Sequence, residues 1–90
     1  GKGVLKPELL ESAINGSLWY STEIEKYLHI ISCINGYHIF NDGNKRTCMQ
    51  LLLNSGLQFN KQKIADLILD FASSKISKDE FMKLSKTYFY

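Results

Sequence analysis

Proline occurs once in the 90 residues, at Pro7, tryptophan once and cysteine twice. No apolar run approaches the roughly 20 residues that a membrane-crossing helix needs, so no membrane association is expected. The opening stretch, GKGVLKPELL, has no apolar signal-peptide core. A dominant charge is lacking too: 11 Lys and Arg stand against 9 Asp and Glu, a net charge of +2. So even a balance gives no bulk field for nucleic acid, and direct nucleic-acid binding is not expected. The six lysines Lys61, Lys63, Lys75, Lys78, Lys83 and Lys86 are scattered and lack interleaved aromatics, which fits solvated helix faces. Cys33 and Cys48 form no CxxC pair. Only His29 and His38 are there to join them at a zinc ion, at spacings that fit no standard site. Both read as reduced core thiols of a cytoplasmic protein.

What is present reads as helix. Pro7 suits the start of LLESAING, where Leu9, Leu10, Ala13 and Ile14 make an apolar stripe and Gly16 a stop. In TEIEKYLHIISCING, Thr22 and Glu25 have capping-box spacing. Ile24, Tyr27, Leu28, Ile31 and Ile34 mark one buried face, and Gly36 a C-terminal stop. KRTCMQLLLNSG places Cys48, Leu51, Leu52 and Ser55 on one side and ends at Gly56. After the extended link LQFN, Asn60 is a cap for a helix with the stripe Ile64, Leu67, Ile68 and Phe71. Ser77 and Glu80 give a second capping box, for KDEFMKLSKTYFY. No pair of strands with a hairpin turn is legible. The expectation is a single all-α domain over residues 1–90, with about five helices and short connections.

Between the second and third predicted helices lies HIFNDGNKRT, residues 38–47, where only Ile39 and Phe40 are apolar. Asn41, Asp42 or Asn44 would serve as a plain helix cap, with Lys45 and Arg46 in solvent. A Walker A loop does not fit, because Asn44 separates Gly43 from Lys45. An EF-hand fails as well: aligned on Gly43, its ligand positions hold His38, Phe40 and Met49. The chemistry favours an anion. A helix beginning near Asn44 turns its positive end on the turn, and Gly43 lets a phosphate approach the backbone closely. Lys45 and Arg46 oppose the helix dipole unless an anionic ligand is bound. Asp42 is a ligand for a Mg²⁺ ion that bridges phosphates. Histidine titrates near neutrality, so His38 suits a general base acting on a hydroxyl. Phe40 reads as the apolar anchor of the loop. Together these point to transfer of a phosphate-containing group from a nucleotide.

The nine residues HIFNDGNKR resemble the signature of the Fic/Doc family, His-x-Phe-x-Asp/Glu-Gly/Ala-Asn-Gly/Lys-Arg, at every fixed position. GKGVLKPELLESAI is similar to the family's glycine-containing segment and following helix. The family's usual first helix is not seen ahead of it. The resemblance implies that His38 activates a hydroxyl of a target protein, Phe40 anchors the loop and Asp42 binds Mg²⁺. Gly43, Asn44, Lys45 and Arg46 would hold the phosphates of ATP, with Asn41 close by. AMP-transferring members carry proline after the histidine, a second glycine after the asparagine, and another arginine three residues beyond the first. Here those places hold Ile39, Lys45 and Met49, which resembles the death-on-curing (Doc) toxin branch. Gly43 stands where the best-known Doc motif has alanine and AMP-transferring members have glycine. The branch implies a toxin-like kinase that moves the γ-phosphate of ATP to a Ser/Thr hydroxyl, with elongation factor Tu as target, stopping translation. It also implies an antitoxin chain as partner. The alternatives are an AMP-transferase using the same residues, and an inactive binding domain.

Several features outside the motif have local readings. Ser21 to Glu25 matches only the first part of the family's inhibitory helix and reads as a cap. Glu25 and His29 read as a polar i,i+4 pair. TYFY at the C-terminus reads as core packing or a frayed aromatic end, with a patch covered by an antitoxin or second subunit as the alternative.

Overall fold

The computed structural model describes residues 6–39 and 43–90, so Phe40, Asn41 and Asp42 lie outside the described residues. It is an all-α domain of five helices, and no helix among these residues is long and apolar enough to cross a membrane. The helices are α1 (Pro7–Ser17), α2 (Glu23–Tyr37), α3 (Asn44–Asn54), α4 (Lys61–Ala72) and α5 (Lys78–Lys86). Local chemistry starts most of them as expected. Pro7 opens α1. The Thr22 hydroxyl accepts from the Glu25 N–H, and the Asn60 side chain accepts from the Lys63 N–H. Ser77 and Glu80 form a complete capping box, each side chain accepting from the other's backbone N–H. Each such cap stabilises its helix by about 1 kcal/mol.

α2 is the axis of the domain and packs against α1, α3, α4 and α5. Its expected stripe is buried at Leu28, Ile31 and Ile34, with Ile24 and Tyr27 half-buried. Ser32, Cys33 and Asn35 are buried as well, so one full turn of α2 has no solvent side. Cys48 and Leu52 of α3, Ile64 and Ile68 of α4, and Phe81 and Met82 of α5 close the core. Phe71 stacks on Phe81 with ring centroids 5.2 Å apart. Fully burying each large apolar side chain contributes about 1.5–3 kcal/mol. The link LQFN is more than a connection: Phe59 pairs with Phe89 in an isolated antiparallel bridge, and Asn60 N–H donates to Tyr88 O. That pairing packs Tyr88 and Phe89 against the core and leaves Tyr90 exposed.

α1 ends at Ser17, next to the stop expected near Gly16. Gly16 is also a point of close approach, since a Cβ there would lie 2.9 Å from His29 Nε2. Three local expectations are corrected. Ile14 is half-exposed, because α1 buries Ala13 and rests Leu9 and Leu10 on the core. Lys86 and Lys78 are not merely solvated. Lys86 pairs with Glu25 at 3.0 Å, and Lys78 Nζ lies 3.0 Å from His29 Nδ1. Glu25 and His29 are therefore partners of α5 rather than of each other. Lys86, with help from the Thr22 hydroxyl, holds the Glu25 carboxyl below its ordinary value.

His29 joins three elements. Its ring stands 5.2 Å from that of Tyr20, and its Nε2 is 3.8 Å from Cys33 Sγ. With Lys78 donating to Nδ1, the imidazole is neutral and carries its proton on Nε2. Burial, and then the Lys78 charge, push its pKa below 6.5. Both cysteines are buried free thiols, and burial pushes Cys48 up to about 12.

Two tests follow from this junction. Glycine to alanine inside a helix normally stabilises by about 1 kcal/mol. Gly16→Ala is expected to lower the thermal midpoint in the wild-type background and to raise it in His29→Ala, a sign reversal read by a double-mutant cycle. An equal effect in both backgrounds would remove the close-approach argument. The second test is pH. Well above pH 6.5 His29 is neutral in both folded and unfolded chains. Below 6.5 the unfolded chain takes up a proton that the folded chain refuses, so stability falls as pH falls through this window. Urea unfolding at a series of pH values is expected to show a shallower decline for His29→Gln just below pH 6.5; parallel curves would contradict it.

Candidate functional site

The expected stop of α2 at Gly36 is displaced. The helix continues to Tyr37 and is capped by His38 in the left-handed region, φ 49° and ψ 57°. Glycine usually takes such a cap, and a side chain there costs on the order of 1 kcal/mol. The geometry is held from several sides. The His38 and Ile39 N–H groups both donate to Ile34 O. Lys6 binds the carbonyls on either side of His38, its Nζ to Tyr37 O at 2.7 Å and its N–H to Ile39 O at 3.2 Å. Ile39 is fully buried and ties the start of the turn to the core. The anchoring role expected of Phe40 lies outside the described residues, as do the roles of Asn41 and Asp42. Ile39 was open to detection as the other apolar residue of a polar run.

Gly43 is the N-cap of α3 at φ 74°, a conformation that favours glycine, and as a glycine it brings no capping side chain of its own. α3 begins at Asn44, where the start of a helix was expected. Its first turn holds no acidic residue, and Lys45 and Arg46 there are exposed. The positive end of α3 therefore carries two further cations, an arrangement that suits an anion.

A cavity of about 400 Å³ is lined by Asn35, His38, Gly43, Asn44, Lys45, Arg46 and Ala72. Five of the eight residues singled out in the sequence thus face one cavity. A second cavity, of about 590 Å³, shares Asn35, His38 and Ala72 with the first. Its other walls come from the end of α4, the start of α5 and the turn between them, with Phe71 and Ile76 apolar and Ser74, Ser77 and Glu80 polar. Ser74 is left-handed at φ 62°. Among the described residues it and His38 are the non-glycine positions of positive φ, and both line this second cavity. Strained backbone of this kind gathers at functional sites.

These walls were missed in the sequence because they lie 25 to 34 residues beyond Arg46, the end of the motif. Asn35 left one trace there, as a polar residue inside the apolar run ISCING. Among the described residues no group of three or more His, Cys, Asp and Glu side chains is placed to hold a metal ion. Comparisons with family models, curated proteins and solved structures find no match.

His38→Gly is expected to raise the stability of the domain by about 1 kcal/mol, because glycine adopts the left-handed cap freely. Denaturant unfolding measures it, and a loss of stability would mean that the imidazole is itself part of the packing.

Proposed function

We propose that this chain is a Fic/Doc-type phosphotransferase, moving the γ-phosphate of ATP to a Ser/Thr hydroxyl of a protein. The observation that carries the reading is the cavity in which His38 meets Gly43, Asn44, Lys45 and Arg46. An imidazole and a cationic helix start on one cavity supply what phosphoryl transfer asks of a protein, namely positioning and charge stabilisation. The adjoining larger cavity, with Phe71 and Ile76 on its wall, suits the flat apolar face of a base. A nucleotide lying across both would put its phosphates beside α3 and its base beside α4 and α5.

In the proposed step the His38 imidazole takes the proton of the attacking hydroxyl. A bond forms from that oxygen to the γ-phosphorus, the bond from phosphorus to the bridging oxygen breaks, and ADP leaves. Lys45 and Arg46 balance the charge on the phosphates. Mg²⁺ is assigned to Asp42 together with the phosphates, where it would neutralise charge and orient the chain, and no step is routed through it. Elongation factor Tu is the first target to test, and inhibition by a separate antitoxin chain belongs to the same reading. Gly43 also supports a second one, since AMP-transferring members of the family share this glycine. In that reaction the same hydroxyl attacks the α-phosphorus and pyrophosphate leaves.

The test is the intact mass of elongation factor Tu after incubation with the protein, ATP and Mg²⁺. A gain of one phosphate is expected, lost with His38→Ala while the variant keeps its folded spectrum. A gain of one AMP would establish the second reading. Transfer that survives His38→Ala would sink both.

A further inference from the structure

Asn35 stands apart from everything the motif explains. It is 2% exposed, and its Nδ2 has no hydrogen-bond partner. A buried amide donor left unpaired destabilises a fold, so its presence at a cavity wall asks for a reason. Among the described residues the other buried side-chain atom in this condition is Ser85 Oγ, and a helical hydroxyl can turn toward the carbonyl one turn back. Ser85 lines neither of the two cavities. Asn35 lines both cavities, and so stands where they meet. It sits one helical turn before His38, on the most deeply buried stretch of α2.

We propose that Asn35 is the residue that reads the sugar of the bound nucleotide, donating from Nδ2 to a ribose hydroxyl. The inference rests on the nucleotide reading above. With phosphates against Lys45 and Arg46, and the base against Phe71 and Ile76, the group at the junction is the one that links them, the ribose. Nδ2 has no hydrogen bond to lose, so a turn of the amide about its last torsion toward the junction breaks no bond of this donor. A buried donor matched to a hydroxyl discriminates strongly against a ligand that lacks it. The role is therefore specificity for ribonucleotides over deoxyribonucleotides.

The experiment is calorimetric binding of ATP, 2′-deoxy-ATP and 3′-deoxy-ATP, with Mg²⁺, to the wild type and to Asn35→Leu. Melting without nucleotide is recorded alongside. Wild type is expected to bind ATP about tenfold more tightly than at least one deoxy analogue. Asn35→Leu is expected to lose about tenfold toward ATP and nothing toward that analogue. Its melting midpoint without nucleotide is expected to be no lower than wild type, which a merely structural asparagine would not allow. Equal weakening toward all three nucleotides, or none toward any, overturns the sugar contact and leaves the proposed function standing. No nucleotide binding by wild type overturns both. If Asn35→Leu does not fold, Asn35→Ser, too short to reach the junction, is put to the same comparison.

Discussion

Five consecutive residues of α2, from Ile31 to Asn35, are buried, and the rest of the domain is arranged around that turn. A surface helix keeps a polar face, but a helix packed against four others cannot. The consequence reaches the candidate site directly. Asn35 ends the buried stretch, His38 caps the helix three residues later, and Ile39 re-enters the core at once. His38 is thus fixed at the end of the buried axis of the domain.

The corner of the molecule that carries the cavities is also where local rules are broken. His38 and Ser74 are left-handed without being glycine, Asn35 Nδ2 is unpaired, and two cations sit in the first turn of α3. Each is unfavourable by itself. The complete cap of α5, the Phe71–Phe81 stack and the fully buried aliphatic side chains offset them elsewhere. Violations gathered in one place, against consistent local choices in the rest, are what a working site looks like in a small domain.

Nearer the start of α2, His29 knits α1, α2 and α5 through Gly16, Tyr20 and Lys78. Its neutral imidazole has a structural role, whereas His38 is exposed beside the anion-suited cavity. The two histidines are one residue type in two environments, and burial separates their tasks.

The sequence by itself determined what is local. Thr22, Asn60 and Ser77 bond to backbone within three residues, and Gly56 takes its left-handed turn just after α3, so each was legible from spacing alone. The apolar stripes of α2 and α4 gave the all-α class for the same reason, since helical periodicity precedes packing. The nine-residue motif was likewise continuous in the chain, and the structure gathers His38 and residues 43–46 of it round one cavity. Tertiary structure alone decided the remainder. Gly16 faces a histidine thirteen residues on, Lys86 reaches a carboxylate sixty-one residues back, and the larger cavity needs α4 and α5 folded onto the end of α2. Such contacts join residues whose separation along the chain leaves no pattern, and only the meeting of helix faces in space brings them together.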